Sequence, residues 1–273
     1  MGKPGFSFSG QKQVKSETPL EVTGKGFIWM ILEAFGKFSR GMHCGWGALS
    51  SLFDTFLPPD CCLCGTPVGG GNRGVPVCDG CAEGLPRHDM PACPCCALPA
   101  LEGRICGRCL RDPPAFDSTC ALYGYAFPAD VLVRSFKYRH RLSLARFFAE
   151  AVESLPDVDV LVPMPLHPRR LSKRGFNQAL EIARPLARAA GLPLERGGVL
   201  RVRHTPPQAM LDREARLANP HGAFACRRRF DGLRVMAVDD VMTTGASLDA
   251  LARCLKAAGA VEVHNFVLAR AGW

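Results

Sequence analysis

Residues 235–248, with the sequence VMAVDDVMTTGASL, join an apolar run to two adjacent carboxylates and a small, hydroxyl-rich loop. The run from Val235 to Val238 contains two valines, which is typical of a short strand buried on both faces of a parallel sheet. Asp239 and Asp240 follow at the predicted carboxyl end of this strand, where open α/β sheets bind their ligands. The stretch therefore predicts an α/β fold with a ligand site beside the two aspartates.

The loop that follows the aspartates combines hydroxyl groups with residues small enough to let backbone N–H groups approach an anion closely. Its members are Thr243, Thr244, Gly245, Ala246 and Ser247. Leucines at helical spacing, closed by Gly259, predict a helix over about 247–258 whose positive end faces the loop. This end favours an anion, whereas the aspartates favour hydroxyl groups, so a sugar phosphate satisfies both. The alternatives are a polar turn with incidental aspartates and a metal-only diacid site.

At these residues the chain resembles the 5-phosphoribosyl-1-pyrophosphate (PRPP) loop of type I phosphoribosyltransferases. The resemblance implies that Asp239 and Asp240 bind the ribose hydroxyls, and that residues 243–247 surround the 5-phosphate. Ser247 stands where many members have threonine, and it keeps the hydroxyl group.

Four Cys-x-x-Cys pairs follow one another between residues 61 and 109. They are Cys61/Cys64, Cys78/Cys81, Cys93/Cys96 and Cys106/Cys109. Each pair can place two thiolates on a tight knuckle, and two knuckles complete a tetrahedral zinc site. Four knuckles therefore predict two structural Zn²⁺ ions. Sequential pairing would form a double zinc ribbon, and the spacing also permits a cross-braced arrangement.

Disulfides are the alternative use of these cysteines, but they belong to oxidising compartments, and the amino terminus has no convincing secretory signal. A thioredoxin-like redox motif would need only one pair. We therefore expect a reducing, cytoplasmic setting. Six further cysteines are interpreted as buried or spare thiols, namely Cys44, Cys62, Cys95, Cys120, Cys226 and Cys254.

The length of 273 residues, 47% of them hydrophobic, suits one sizeable domain and a small module. We predict a disordered tail and amphipathic segment over 1–56, a double zinc ribbon over 57–116, and a sheet domain over 117–273. The apolar run 27–32 is too short to span a bilayer, which needs ~20 residues. It could be an amphipathic helix packing on the core, a weak membrane-surface element, or sequence upstream of a later start at Met42.

From residue 117 onward, strand and helix patterns alternate, which indicates a parallel sheet. The predicted elements are a strand over 118–127, helices over 129–138 and 142–155, a strand over 158–162, and a helix ending at about 190.

The segment 163–178 lies between a predicted strand and a helix, and it carries enough positive charge to hold a polyanion. Its candidate ligand-binding residues are Pro165, His167, Arg169, Arg170 and Arg174. A solvated basic turn is the alternative, and His167 could equally be structural. Three further candidates are Lys137, which could be an exposed helix-end lysine, and Asn177 and Gln178, which could be helix caps.

Several motifs together resemble the ComF family over about residues 57–270. They are the basic segment with Phe176-Asn177-Gln178, Arg203-x-Thr205-x-x-Gln208, Arg216-x-x-Asn219 and Phe136-Lys137-Tyr138. The resemblance implies a type I phosphoribosyltransferase-like parallel sheet with helices on both faces behind a zinc ribbon, and a role in DNA uptake and competence. By analogy, 163–174 is the pyrophosphate loop, and 201–222 is a mobile hairpin that closes over the substrate.

Most of the net charge of +9 falls on residues 158–273, whereas eight thiolates binding two zinc ions would make the zinc module negative. Any binding of single-stranded DNA is therefore expected at the sheet domain and should weaken with salt. Two function classes follow. One is an enzyme that breaks the anomeric C–O bond of PRPP with Mg²⁺, using Asp239 and Asp240 as catalytic residues. The other is a PRPP-sensing or DNA-associated binding module. No oligomeric state is predicted.

Overall fold

The computed structural model describes residues 60–68, 76–202 and 222–272, apart from the side chain of Lys173. The tail and amphipathic segment predicted over 1–56 lie outside the described residues, as do the motif residues 203–219 and most of the predicted hairpin. The predicted boundary between residues 116 and 117 stays a prediction. Within the described ranges, no helix combines the length and the hydrophobicity needed to cross a membrane.

The cysteine-rich region contains two short helices, each of which begins directly after a cysteine. Helix α1 spans Asp79–Glu83 and follows Cys78, and helix α2 spans Gly107–Arg111 and follows Cys106. A single 3-10 turn at Leu101–Gly103 lies between them.

Four parallel strands form the sheet in the order β1-β6-β5-β2. The strands are β1 Ser118–Gly124, β2 Val160–Pro163, β5 Arg234–Met242 and β6 Glu262–Arg270. Two further strands, β3 Val199–Arg201 and β4 Phe224–Cys226, form a separate antiparallel pair. The helices are α3 Ala129–Tyr138, α4 Ser143–Glu150, α5 Pro168–Arg174, α6 Gln178–Ala190 and α7 Ala246–Ala257. The predicted parallel α/β sheet is confirmed.

Side chains of β5 alternate between two hydrophobic layers, because successive residues of a strand point to opposite faces of its sheet. Met236 and Val238 pack in the layer that contains residues of α3, α4 and α6. Val235 and Ala237 pack in the layer that contains the leucines of α7. The sheet therefore carries helices on both faces, as predicted.

Some predicted bounds were wrong. Strand β5 continues past Val238 to Met242, because its last residues still pair with β6. Helix α4 ends at Glu150 rather than near residue 155, and Val152 and Leu155 pack against the core from an irregular segment. Part of the predicted pyrophosphate loop forms helix α5, with Pro168 in its first turn, a position that proline tolerates well.

Candidate functional site

The two aspartates lie in the last part of β5, beside the end of β2. Pro163 is paired with Val238, so the chain that leaves β2 begins next to the acids. The Asp239 carboxylate accepts the backbone N–H of Asp240 at 2.8 Å. The Asp240 carboxylate lies 3.0 Å from Nζ of Lys137, near the end of α3. The structure thus brings Lys137 into contact with the acid pair, although the two segments are about a hundred residues apart.

Burial raises the pKa of Asp239 to about 7, and the charge of Asp240 adds to the rise. The backbone N–H of Asp240 and the charges of Lys137 and Arg201 act in the opposite direction. Near neutral pH, Asp239 therefore exchanges readily between its neutral and ionised forms. A carboxyl group of this kind can accept hydrogen bonds from the hydroxyls of a sugar when it is ionised.

We expect Asp239 to lower the stability of the fold as the pH rises from about 4 to about 7. In this range, folded Asp239 keeps a proton that the unfolded chain, with a pKa of about 3.9, has already released, so the free energy of unfolding falls with pH. Above both pKa values the contribution is constant. The measurement is the difference in urea midpoints between the wild type and Asp239→Asn across this range. A difference that does not change with pH would contradict the assignment.

The loop between β5 and α7 has hydroxyl groups that reach solvent. Thr243 is exposed, and Thr244 and Ser247 are partly exposed. Gly245 has φ +84°, a left-handed conformation that strains other residues, and a Cβ atom there would lie 2.6 Å from the flexible end of Met242, so the position favours glycine. Helix α7 begins immediately afterwards, and its amino-terminal N–H groups border the loop. This arrangement suits an anion with neighbouring hydroxyl acceptors.

Helix α5 carries the predicted basic residues. His167 is its N-cap, and Nδ1 of His167 accepts the backbone N–H of Arg169 at 3.2 Å. The side chain of Arg169 is exposed, whereas Arg170 is partly buried. Burial lowers the pKa of Arg170, and the charge of Arg174 lowers it further. Arg170 and Arg174 therefore lie close enough to repel each other.

Arg201, at the end of β3, forms a basic cluster with Arg170 and Arg174. The sequence did not predict this residue as part of the site. Arg201 is 9% exposed. Burial lowers its pKa, as does the charge of Arg170, whereas Asp239 raises it. Arg201 thus connects the basic helix with the acid pair. The sequence around Arg201 gives little sign of this role, because the position of Arg201 depends on the pairing of β3 with β4.

Asn177 and Gln178 make contacts that position the basic loop. Asn177 caps α6 by accepting the N–H of Ala179 at 3.1 Å, and it donates to the carbonyl of Met164 at 3.1 Å. Buried Gln178 accepts a hydrogen bond from Arg174 at 2.9 Å. Pro165, at the start of the loop, is also buried. The capping alternative considered for Asn177 is therefore observed, and ligand contacts of these residues stay predictions.

A cavity of about 620 Å³ lies elsewhere, between β4 and α7. Arg228, Arg229 and Arg253 line it, but they form ion pairs with Glu195, Asp231 and Asp249, respectively. These pairs offset much of the positive charge of the cavity. Its lining contains neither Asp239 nor the basic residues of α5.

The eight predicted zinc ligands form two tetrads with sequential pairing. One contains Cys61, Cys64, Cys78 and Cys81, and the other contains Cys93, Cys96, Cys106 and Cys109. Within each tetrad all sulfur atoms lie within 4.8 Å of one another. Across the two knuckles, the sulfurs of Cys64 and Cys78 are 3.6 Å apart. A tetrahedral zinc site with Zn–S bonds of ~2.3 Å requires a spacing of about 3.8 Å, so the tetrads fit zinc.

Backbone N–H groups support thiolates in both tetrads. The N–H of Cys78 donates to the sulfur of Cys61 at 3.4 Å, and the N–H of Cys106 donates to the sulfur of Cys93 at 3.3 Å. Burial acts to raise the pKa of Cys93, but such backbone donors lower it to about 7. None of the thirteen cysteines in the described ranges forms a disulfide. The donor set is therefore that of two structural zinc sites.

Comparison with known proteins identifies both the zinc-binding module and the protein family. The double zinc ribbon domain matches residues 52–110. The "DNA utilization protein YhgH" of Salmonella typhi is 34% identical over 225 residues, which cover 78% of this chain and 98% of that protein. The "Competence protein ComFC" of Bacillus subtilis strain 168 is 30% identical over 207 residues, covering 71% of this chain and 84% of that protein.

Among solved structures, the purine phosphoribosyltransferase from Pyrococcus horikoshii Ot3 matches 56% of this chain and 87% of its own, at 13% identity and a TM-score of 0.26. The family assignment follows from the sequence relatives, which share about a third of their residues with most of this chain. The protein therefore belongs to the ComF family.

Proposed function

We propose that this protein binds PRPP together with Mg²⁺ in the crevice beside the carboxyl end of β5. The observation that carries the proposal is the approach of the basic cluster, formed by Arg170, Arg174 and Arg201, to the acid pair. A sugar that bears phosphate groups needs both kinds of partner within one site. A site for a simple anion would not need the aspartates.

Each part of PRPP has a matching group in this crevice. The 5-phosphate would accept hydrogen bonds from the hydroxyls and N–H groups of the loop 243–247. The ribose hydroxyls would donate to the Asp239 and Asp240 carboxylates, and the pyrophosphate would lie against Arg170 and Arg174. Carboxylate oxygens also suit Mg²⁺, which commonly binds through one or two carboxylates and the phosphates of a substrate.

We further propose that the bound PRPP can donate its phosphoribosyl group to an acceptor. Breaking the anomeric C–O bond leaves positive charge on the ribose ring and negative charge on the departing pyrophosphate. The ionised aspartates would stabilise the first charge and the basic cluster the second, so catalysis would depend on positioning and electrostatics. Mg²⁺, when bound, would neutralise part of the pyrophosphate charge.

The names of the relatives favour a link to DNA. They are called "DNA utilization protein" and "competence protein", so we propose that this chain acts in the uptake or use of DNA. A PRPP-sensing or single-stranded-DNA-associated module without turnover is the second candidate. We also propose a reducing, cytoplasmic setting, because the eight cysteines of the two tetrads can bind zinc only in their reduced form.

The test is calorimetric titration of the zinc-loaded protein with PRPP and Mg²⁺, with assay of released pyrophosphate in the same samples. Nucleobases or single-stranded DNA are added as acceptors. Saturable binding with acceptor-dependent release of pyrophosphate would support the transferase. Binding without release would favour the sensing module, and a lack of binding would reject the PRPP site.

Arg170 and Arg169 form a matched pair for testing the basic cluster. They are neighbours on α5, but Arg170 is partly buried near Arg201, whereas the Arg169 side chain is exposed. We expect Arg170→Met to weaken binding of inorganic pyrophosphate and PRPP about tenfold or more, because a charged hydrogen-bond donor is lost. Arg169 is also a predicted ligand-binding residue, but its exposed charge is screened by water, so Arg169→Met should change the Kd less than about twofold. Equal effects of both substitutions would argue against this cluster.

A further inference from the structure

The loop that follows β5 is held by two arginines from distant parts of the chain. Arg270, at the end of β6, donates from Nη1 to the carbonyls of Met242 at 3.0 Å and Thr243 at 2.5 Å. Arg108, in helix α2, donates from Nη2 to the carbonyl of Thr244 at 3.2 Å. Three successive carbonyls, directly before Gly245, are therefore fixed by guanidinium groups.

Both arginines are connected with the second zinc ribbon, defined here as residues 91–111. Arg108 is part of this ribbon, and Arg270 forms a hydrogen bond with it. Arg108 lies immediately before the zinc ligand Cys109. Nε of Arg270 donates to the carbonyl of the ligand Cys96 at 2.6 Å. The loop and the second tetrad are thus linked through single side chains.

The second ribbon is also fixed directly to the sheet. Thr119 of β1 donates its backbone N–H to the carbonyl of Pro94 at 3.0 Å and its hydroxyl to that of Cys95 at 2.6 Å. Together with the Arg270 contact, three successive carbonyls of the knuckle are held. Arg270 is only 1% exposed. Its contacts therefore cannot be exchanged for water without opening the core.

The charge of the zinc site provides a reason for this arrangement. Four thiolates around one Zn²⁺ carry a net charge of about −2. A cationic side chain buried nearby is stabilised by this charge, and the charge of a buried ion must be compensated. Zinc binding therefore favours the conformation in which Arg270 and Arg108 lie beside the tetrad and hold the loop.

The first ribbon, which contains the tetrad of Cys61, Cys64, Cys78 and Cys81, is arranged differently. Cys61 packs in the hydrophobic layer of α3 and α4, on the other face of the sheet from α7. The neighbouring Cys62 accepts a hydrogen bond from Arg141, between these two helices, at 3.1 Å. The first tetrad is thus connected with the helical layer, whereas the second is connected with the ligand loop.

We infer that the second zinc ribbon sets the conformation of the ligand loop, with Arg108 and Arg270 as positioning residues, whereas the first ribbon supports the fold alone. Loss of zinc from the second tetrad would loosen residues 242–247 and weaken ligand binding. The effect on affinity rests on the proposed binding of PRPP. The effect on the loop can be measured without any ligand.

The first test compares Arg108→Ala with Arg104→Ala in the full, zinc-loaded chain. Arg104 is the matched control, because it lies in the same ribbon but is exposed and paired with Glu102. We expect Arg108→Ala to retain two zinc ions, to speed hydrogen exchange of the amides of 242–247 about tenfold, and to raise the Kd for PRPP with Mg²⁺ by a similar factor. Arg104→Ala should change neither the hydrogen-exchange rates of 242–247 nor the Kd. Equal exchange rates in the two variants would overturn the inference.

The second test uses Cys106→Ser and Cys78→Ser, which alter equivalent positions of the two tetrads. Each should lower the zinc content by about one ion per chain. In the folded, soluble fraction of each variant, faster exchange of residues 242–247 relative to the other amides of the sheet domain is expected in Cys106→Ser alone, and equal loosening of the loop in both variants would contradict the inference. If the wild type does not bind PRPP, the proposed function fails, but the difference in loop exchange still decides this inference.

Discussion

Replacing Asp239 and Asp240 together by asparagine is expected to weaken binding of PRPP and Mg²⁺ at least about 100-fold. Asparagine keeps the shape of the side chains but removes two charges that would accept ribose hydroxyls and attract Mg²⁺. Each charged hydrogen bond contributes about 1.5–3 kcal/mol, so two of them account for a change of this size. Isothermal titration calorimetry at about pH 8 gives the Kd, because Asp239, with a pKa of about 7, is then ionised in the wild type.

The double substitution leaves Lys137 without its carboxylate partner, so folding must be checked independently. Zinc content and thermal unfolding should show that the chain is still folded. Glu153→Gln is a suitable control, because Glu153 is 87% exposed at the surface and only its charge is removed. An unchanged Kd in the folded double variant would reject the site.

Cys61→Ser is expected to have the largest effect on folding, with loss of about one zinc ion and of most soluble protein. A serine hydroxyl is a poor zinc ligand, and binding of a structural Zn²⁺ contributes about 10–16 kcal/mol in zinc-finger peptides. Cys61 is also 4% exposed and packs in the core, so loss of this zinc disturbs the helical layer as well. Elemental analysis by mass spectrometry gives the zinc content, and calorimetry gives the unfolding temperature.

Cys62→Ser is the matched control for this prediction. Cys62 is the next residue along the chain, but its sulfur accepts a hydrogen bond from Arg141 and does not belong to the tetrad. The control should keep both zinc ions and most of the stability. If Cys61→Ser lost one zinc ion and were still as stably folded, or if the wild type were metal-free after chelation and still folded, zinc would not be structural.

Local patterns predicted the elements around the site well. The bounds of α3 agree with the prediction, because its apolar residues recur at helical spacing and bury Leu132, Val133 and Phe136. The strand, loop and helix around Asp239 were also predicted in the right order. The extension of β5 was missed, because it depends on pairing with β6 rather than on hydrophobicity.

The contacts between distant segments could not be predicted from local patterns. Spacing alone permitted two pairings of the cysteine knuckles, and only the folded chain distinguishes them. Arg201 and Arg108 act through neighbours that lie far away in the sequence. Arg270 gave one usable signal, since it ends the mostly apolar strand β6, and a charge in such a place must find partners.

The strand order has a consequence for how the chain folds during synthesis. Strand β6 is the last of the described strands along the chain, yet it lies between β1 and β5. About 140 further residues must therefore be synthesised before β1 can pair with β6, which takes roughly 7–28 s at about 5–20 residues per second. Until then its edge is open to pairing with other chains. The cysteine tetrads are complete before β1 is made, so metal loading can precede assembly of the sheet.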